Sequence, residues 1–84
     1  MNAKPEVVKV EVPGKYTYRE VHVGRYRIWH DPCHPARPYR WAMRDKPDDG
    51  VGVQSHGGSA TFEGALSAVS AHDRAYRAIE ACAV

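Results

Sequence analysis

Residues 62–82 contain no proline and carry apolar side chains at steps of three and four, and this stretch constrains the rest of the chain more than any other. Phe62, Ala65, Leu66, Val69, His72, Tyr76, Ile79 and Ala83 trace a single stripe of an amphipathic helix. Ser67, Ser70, Asp73, Arg74, Arg77 and Glu80 fall opposite, with Asp73 and Arg77 spaced to pair across one turn. Thr61 offers a capping hydroxyl to the first turn, and Glu63 places a carboxylate where the helix dipole favours it. Gly64 is the weak residue of the run. A lone helix of this length is marginal in water, so its stripe demands a partner surface.

The residues upstream supply a sheet. Glu6 to Val12 alternates, with Val8, Val10 and Val12 on one side and Lys9 and Glu11 on the other. Pro13-Gly14 follows as a type II turn, proline presetting φ and glycine supplying the positive φ after it. Tyr16 to Val23 predicts a second strand whose alternation breaks: Tyr16 and Tyr18 have one parity, Val21 and Val23 the other. A β-bulge near Arg19-Glu20 would bring all four to one face, and two short strands with a kink are the alternative. Gly24-Arg25 fits a two-residue hairpin loop. Counting outward pairs Val23 with Tyr26, His22 with Arg27, Val21 with Ile28 and Glu20 with Trp29. Val21, Val23, Tyr26 and Ile28 then cover the helix, while His22, Arg27 and Trp29 face away.

Pro32, Pro35 and Pro38 exclude regular structure from 31–38, which reads as a loop between antiparallel strands at 26–31 and 39–45. In the second of these, Tyr39, Trp41 and Met43 form the inner row. Lys46-Pro47-Asp48-Asp49-Gly50 is a strong turn, residues 51–55 a last short strand, and Gly57-Gly58-Ser59 the entry to the Thr61 cap. The fold class is α+β: one domain over residues 1–84 with a frayed start at 1–5, an antiparallel meander of four to five strands, and a C-terminal helix over 62–82 packed on one face.

Composition narrows the function. Twelve basic against ten acidic residues give a net charge of +2, too mild to imply a nucleic-acid partner by itself. Eight of the twelve cations are arginine, the residue that suits phosphate and carboxylate recognition. No stretch has the roughly eighteen consecutive apolar residues of a membrane span. Cys33 and Cys82, with no apolar leader in Met1 to Pro5, predict free thiols and a cytoplasmic protein. The preference for arginine, alanine, valine and glycine suits a GC-rich genome.

Four features could carry function. Arg27 and Trp29 on one strand, with Arg40 and Arg44 on the next, combine phosphate-binding cations with a flat aromatic on the outer face of the sheet, the chemistry of sheet-based nucleic-acid binders. The competing reading is an ordinary solvated face, balanced by Glu20, Asp31 and Asp45. Pro32, Pro35 and Pro38, beside Arg37, have the three-residue period of a polyproline II helix that a protein partner could dock, against a merely stiff loop. His30, Cys33 and His34 form one local cluster with no second pair, so no metal is assigned, although His56 or Cys82 could complete a zinc set in space. Gly57-Gly58-Ser59 before a helix suits incidental anion binding but lacks both the P-loop lysine and a dinucleotide fingerprint. No nucleophile elbow or metalloprotease motif is present, and Cys33 beside His34 makes no catalytic pair by adjacency alone. His72, on the apolar stripe, reads as a core-edge histidine.

From Tyr26 to Ala78, the meander leading into Gly57-Gly58-Ser59-Ala60-Thr61-Phe62-Glu63-Gly64-Ala65 resembles the small DNA-binding domains at the ends of phage integrases and certain small antitoxins. The resemblance lies in element order and the threonine-led helix start, and it transfers no functional residue. The expectation is a non-enzymatic binding protein without a cofactor, contacting nucleic acid through Arg27, Trp29, Arg40 and Arg44. The alternative is a protein-interaction module, a homodimer or a regulator, using a strand edge or the 32–38 loop.

Overall fold

The computed structural model describes residues 4–44 and 56–82. They form strands β1 (Glu6–Val12), β2 (Tyr16–Val23), β3 (Tyr26–His30), β4 (Tyr39–Met43) and β5 (His56–Ser59), then helix α1 (Phe62–Cys82). The strands lie side by side in chain order, every neighbour antiparallel, as the short connections dictate. The 46–50 turn, the strand expected at 51–55 and Ala83 lie outside the described residues. The fifth strand described is instead the segment read as a glycine entry to the helix.

Cross-strand packing explains why glycines occupy that strand. A side chain at Gly57 would sit 2.7 Å from Trp41 Cζ2, and one at Gly58 would collide with the Arg40 guanidinium. Trp41 and Arg40 are the register partners of these glycines, on opposite faces. Each long side chain lies across the bare backbone beside it.

Both tight turns form for the reasons their residues give. The Lys15 N–H donates to Val12 O at 3.0 Å and Gly14 has φ +74°, closing the Pro13-Gly14 turn. At the β2–β3 hairpin Gly24 has φ +59°, the left-handed value that the first loop position requires. The pairing runs Val23↔Tyr26, Val21↔Ile28 and Glu20↔Trp29, as counted from the loop.

The bulge does not exist. Pairing of β1 with β2 runs unbroken from Glu6↔His22 to Val12↔Tyr16. Tyr16 and Tyr18 therefore stay on the face opposite Val21 and Val23, which they share with Glu20, His22 and the three valines Val8, Val10 and Val12. The physical reason is that α1 runs over β3, β4 and β5 and does not reach β1. Among the described residues no core lies at that end of the sheet to draw the tyrosines inward.

The core lies between α1 and the inner rows of β2, β3 and β4. Tyr26, Ile28, Met43, Val69 and Tyr76 are fully buried, with Val23, Trp41 and Ala65 beside them. Each large apolar side chain among them contributes roughly 1.5–3 kcal/mol by leaving water. Phe62 and Leu66 pack at the margin. Thr61 caps α1 as expected, its Oγ1 accepting from the Gly64 N–H at 3.0 Å.

Two residues of α1 complete the description. His72 is satisfied within the packing: its Nδ1 lies 2.6 Å from the Tyr26 hydroxyl, and its ring stacks on Tyr76. Asp73, assigned to the solvent face, is buried at 6% exposure and accepts from Arg77 Nε at 3.0 Å. Position 73 follows Val69 by one turn, and the covered stripe is wide enough to include it. Among the described residues no helix is long and apolar enough to cross a membrane.

Candidate functional site

The helix leaves one whole face of the sheet uncovered, and strand register arranges its side chains in rows. One row crosses all five strands: Val8, Glu20, Trp29, Arg40 and Gly58. The next contains His22, Arg27 and Ala42. Trp29 and Arg40, both half-buried, are thus direct neighbours, as expected for two of the proposed binding residues.

Glu20 is the hub. Its side chain is almost entirely buried on an otherwise open face, beneath the residues that bond to it. Arg27 Nη1 donates to Oε2 at 3.0 Å, the Tyr18 hydroxyl donates to the same oxygen at 3.1 Å, and His22 Nε2 lies 2.7 Å from Oε1. Burial pushes the carboxyl pKa up, but the hydrogen bonds from His22, Arg27 and Tyr18 and the Arg27 charge outweigh it and hold it below the ordinary value. Burial, then the charge and hydrogen bond of Glu20, raise the Tyr18 hydroxyl.

Arg27 consequently does more than offer a cation. Its guanidinium carbon lies 4.3 Å from the Trp29 ring centre while its nitrogen bonds Glu20. This fixes the indole against a planar cation and neutralises the buried carboxylate. Arg27 is a positioning residue for the aromatic. Arg40 sits directly across from Trp29, and among the described residues no acidic side chain pairs with it. Arg44 stands apart, opposite Arg25 at the hairpin end, roughly 13 Å along the strand from Arg40. Its Nη1 donates to Gly24 O at 3.3 Å, so it supports the turn.

The tyrosines are the members that sequence reasoning missed. Tyr16, Tyr18 and Trp29, with Asp31, Pro32 and Cys33, line an open depression of about 450 Å³ at the end of the sheet. Tyr16 is 61% exposed, and its ring centre lies 6.0 Å from that of Tyr18. The signal was available in their parity, which they share with Glu20.

The proline loop is not a polyproline II segment. The Asp31 carbonyl accepts from His34 N–H at 3.2 Å and the His34 carbonyl from Arg37 N–H at 3.1 Å, folding the loop into consecutive turns. Asp31 Oδ1 also accepts from Cys33 N–H at 2.9 Å. Pro32, Pro35 and Pro38 therefore do not share one extended face, and the docking geometry expected of them is absent. The turns bring Arg37 beside Arg40, where both border a depression of about 310 Å³ with Cys33 and His34.

Among the described residues no three His, Cys, Asp or Glu side chains converge to hold a metal ion. His34 faces Asp31, at 3.4 Å, rather than the Cys33 thiol. Cys33 and Cys82 are both exposed and unbridged.

An antiparallel sheet backed on one side by a helix, with an aromatic and arginine surface on the other, defines a small α+β domain with an open face. Comparison with known protein families, with curated proteins and with solved structures returns no match.

Proposed function

We propose that the chain is a non-enzymatic binding domain that holds single-stranded nucleic acid on the helix-free face of its sheet. One observation supports this most: Tyr16, Tyr18 and Trp29 gather around an open depression beside Arg40, where among the described residues no other element lies over them. Stacking of unpaired bases on such side chains is worth about 1–3 kcal/mol per base and tolerates any sequence. Duplex bases are already stacked on each other and cannot use these rings. Arg40 and Arg37 neutralise backbone phosphates, while Arg27 holds the Trp29 ring in place from below. The modest net charge of +2 makes stacking the larger part of the affinity. The exposed, unbridged Cys33 and Cys82 suit the reducing interior of a cell.

Tryptophan fluorescence tests this reading. Trp29 and Trp41 are the two tryptophans, and Trp41 is buried against the helix, so quenching by a ligand on the outer face reports Trp29. A single-stranded oligonucleotide is expected to quench the emission, more weakly as salt is raised, and a duplex of the same sequence to quench far less. Arg40→Ala and Tyr18→Ala should each weaken binding while leaving the chain folded. Absence of quenching at low salt, or equal affinity for duplex and single strand, would refute the proposal.

A further inference from the structure

Strand β1 is an edge of the sheet, seven residues long, flanked by Pro5 and Pro13 and out of reach of the helix. The phase of its backbone groups follows from two hydrogen bonds that bracket the β3–β4 pair: Asp31 N–H to Pro38 O at 2.7 Å and Arg44 N–H to Arg25 O at 2.6 Å. Hydrogen-bonded pairs alternate along antiparallel strands, so Arg27↔Ala42 and Trp29↔Arg40 are bonded pairs. Tyr26 and Ile28 then turn their amides toward Val23 and Val21 of β2. The even-numbered residues of β2 turn theirs toward Val8, Val10 and Val12 of β1. The amides and carbonyls of Val7, Lys9 and Glu11 are left pointing out of the sheet.

We propose that this edge pairs with the same edge of a second copy, antiparallel about a two-fold axis at Val10, to make one continuous sheet. Outward-facing residues must meet outward-facing residues, so the register moves only in steps of two. Centring it on Lys9 sets ammonium against ammonium, and centring it on Glu11 sets carboxylate against carboxylate. Centring it on Val8 gives a ladder of the same length but places Lys9 opposite Val7 and Glu6 opposite Val10. At Val10 alone, Lys9 meets Glu11 of the second copy and Glu11 meets its Lys9. That register also sets Val10 against Val10, and Val8 against Val12, as an apolar ladder on the opposite face. A lysine in mid-edge ordinarily guards a sheet against pairing. With a glutamate two residues further on, it selects one register instead. The contact is isologous, so it consumes the β1 edge of both copies and closes at two. Residues of one parity share a face, so the axis runs perpendicular to the sheet. Both helices lie on one side and both Trp29–Arg40 surfaces on the other.

Sedimentation of the full chain across a dilution series tests this, and it does so independently of any nucleic acid. The unaltered chain is expected to be a dimer that dissociates on dilution. K9E sets like charges opposite each other at both ion pairs, as does E11K, and each should raise the dissociation constant by about tenfold or more. Mixing the two variants restores both ion pairs and should yield a heterodimer, while K9E/E11K should dimerise as the unaltered chain does. Lys9 and Glu11 are exposed, so the variants fold, and circular dichroism confirms it. A chain that stays monomeric at its solubility limit overturns the proposal. A K9E dimer as tight as the original, or a mixture that forms no heterodimer, overturns the register and the proposal with it.

Discussion

Replacing Glu20 with alanine tests whether the open face is built around its carboxylate. The substitution removes hydrogen bonds from Arg27, Tyr18 and His22 to a side chain that is 6% exposed. A hydrogen bond to a buried charge contributes about 1.5–3 kcal/mol, but these donors are not equally cut off from water. The Arg27 side chain is 37% exposed and recovers most of its hydration, so its bond is worth about 1 kcal/mol after screening. His22, at 18%, recovers less and adds about 1 kcal/mol, and the neutral Tyr18 hydroxyl adds roughly 0.5. The sum is about 2–3 kcal/mol. For a domain of this size that lowers Tm by roughly 10–20 °C, measurable by thermal circular dichroism. Released from the carboxylate, Arg27 no longer pins Trp29, and the tryptophan emission should shift to the red.

The pH dependence gives a second, signed check. The Glu20 pKa is lower folded than unfolded, so its stabilisation is complete above the unfolded value near 4.5 and disappears as pH falls through the folded value. The Tm difference between the unaltered chain and Glu20→Ala should therefore be largest near neutrality and close progressively at acid pH below 4.5. A Tm loss under about 3 °C at pH 7, or a difference that does not narrow in acid, would mean that the carboxylate sits in water and organises nothing.

Gly57→Val drives a side chain into the Trp41 indole, so it should destabilise the domain by about 1–3 kcal/mol and expose Trp41, read as a fall in the urea midpoint. Arg77→Ala leaves the buried Asp73 carboxylate without the arginine that bonds it, and should cost about 1–2 kcal/mol although Arg77 itself is 70% exposed. Chemical denaturation at pH 7 measures that loss.

What was legible in the chain was local. The helix from Phe62 to Cys82, its threonine cap, both glycine turns and the β2–β3 register follow from side-chain period and turn chemistry, which act over a few residues. The inner rows Val21–Val23, Tyr26–Ile28 and Trp41–Met43 were also readable, because an apolar row alternating along a strand must find cover. The glycine strand was not. Gly57 and Gly58 have no propensity for a strand, and only the Trp41 and Arg40 side chains lying across them explain the segment.

The candidate site was legible in part. Trp29 and Arg40 were placed on the outer face because hairpin counting gives parity directly, and they are cross-strand partners. Arg44 was grouped with them on parity alone, yet distance along the strand separates it. Tyr16 and Tyr18 share the open face with Trp29 because β2 pairs with β1 without the bulge that the broken alternation suggests.

By itself the sequence determined the helix and the first four strands, which of their rows face the helix, and that the helix covers one face of the sheet, because these depend on period and turns. Tertiary structure alone decided how far the helix reaches. Since α1 stops short of β1, the apolar rule loses its force there: Val8, Val10, Val12, Tyr16 and Tyr18 remain on the open face, and Glu20 gathers its donors beneath Trp29. Hydrophobic pattern states that a residue needs cover, and only the packed molecule states whether cover is present.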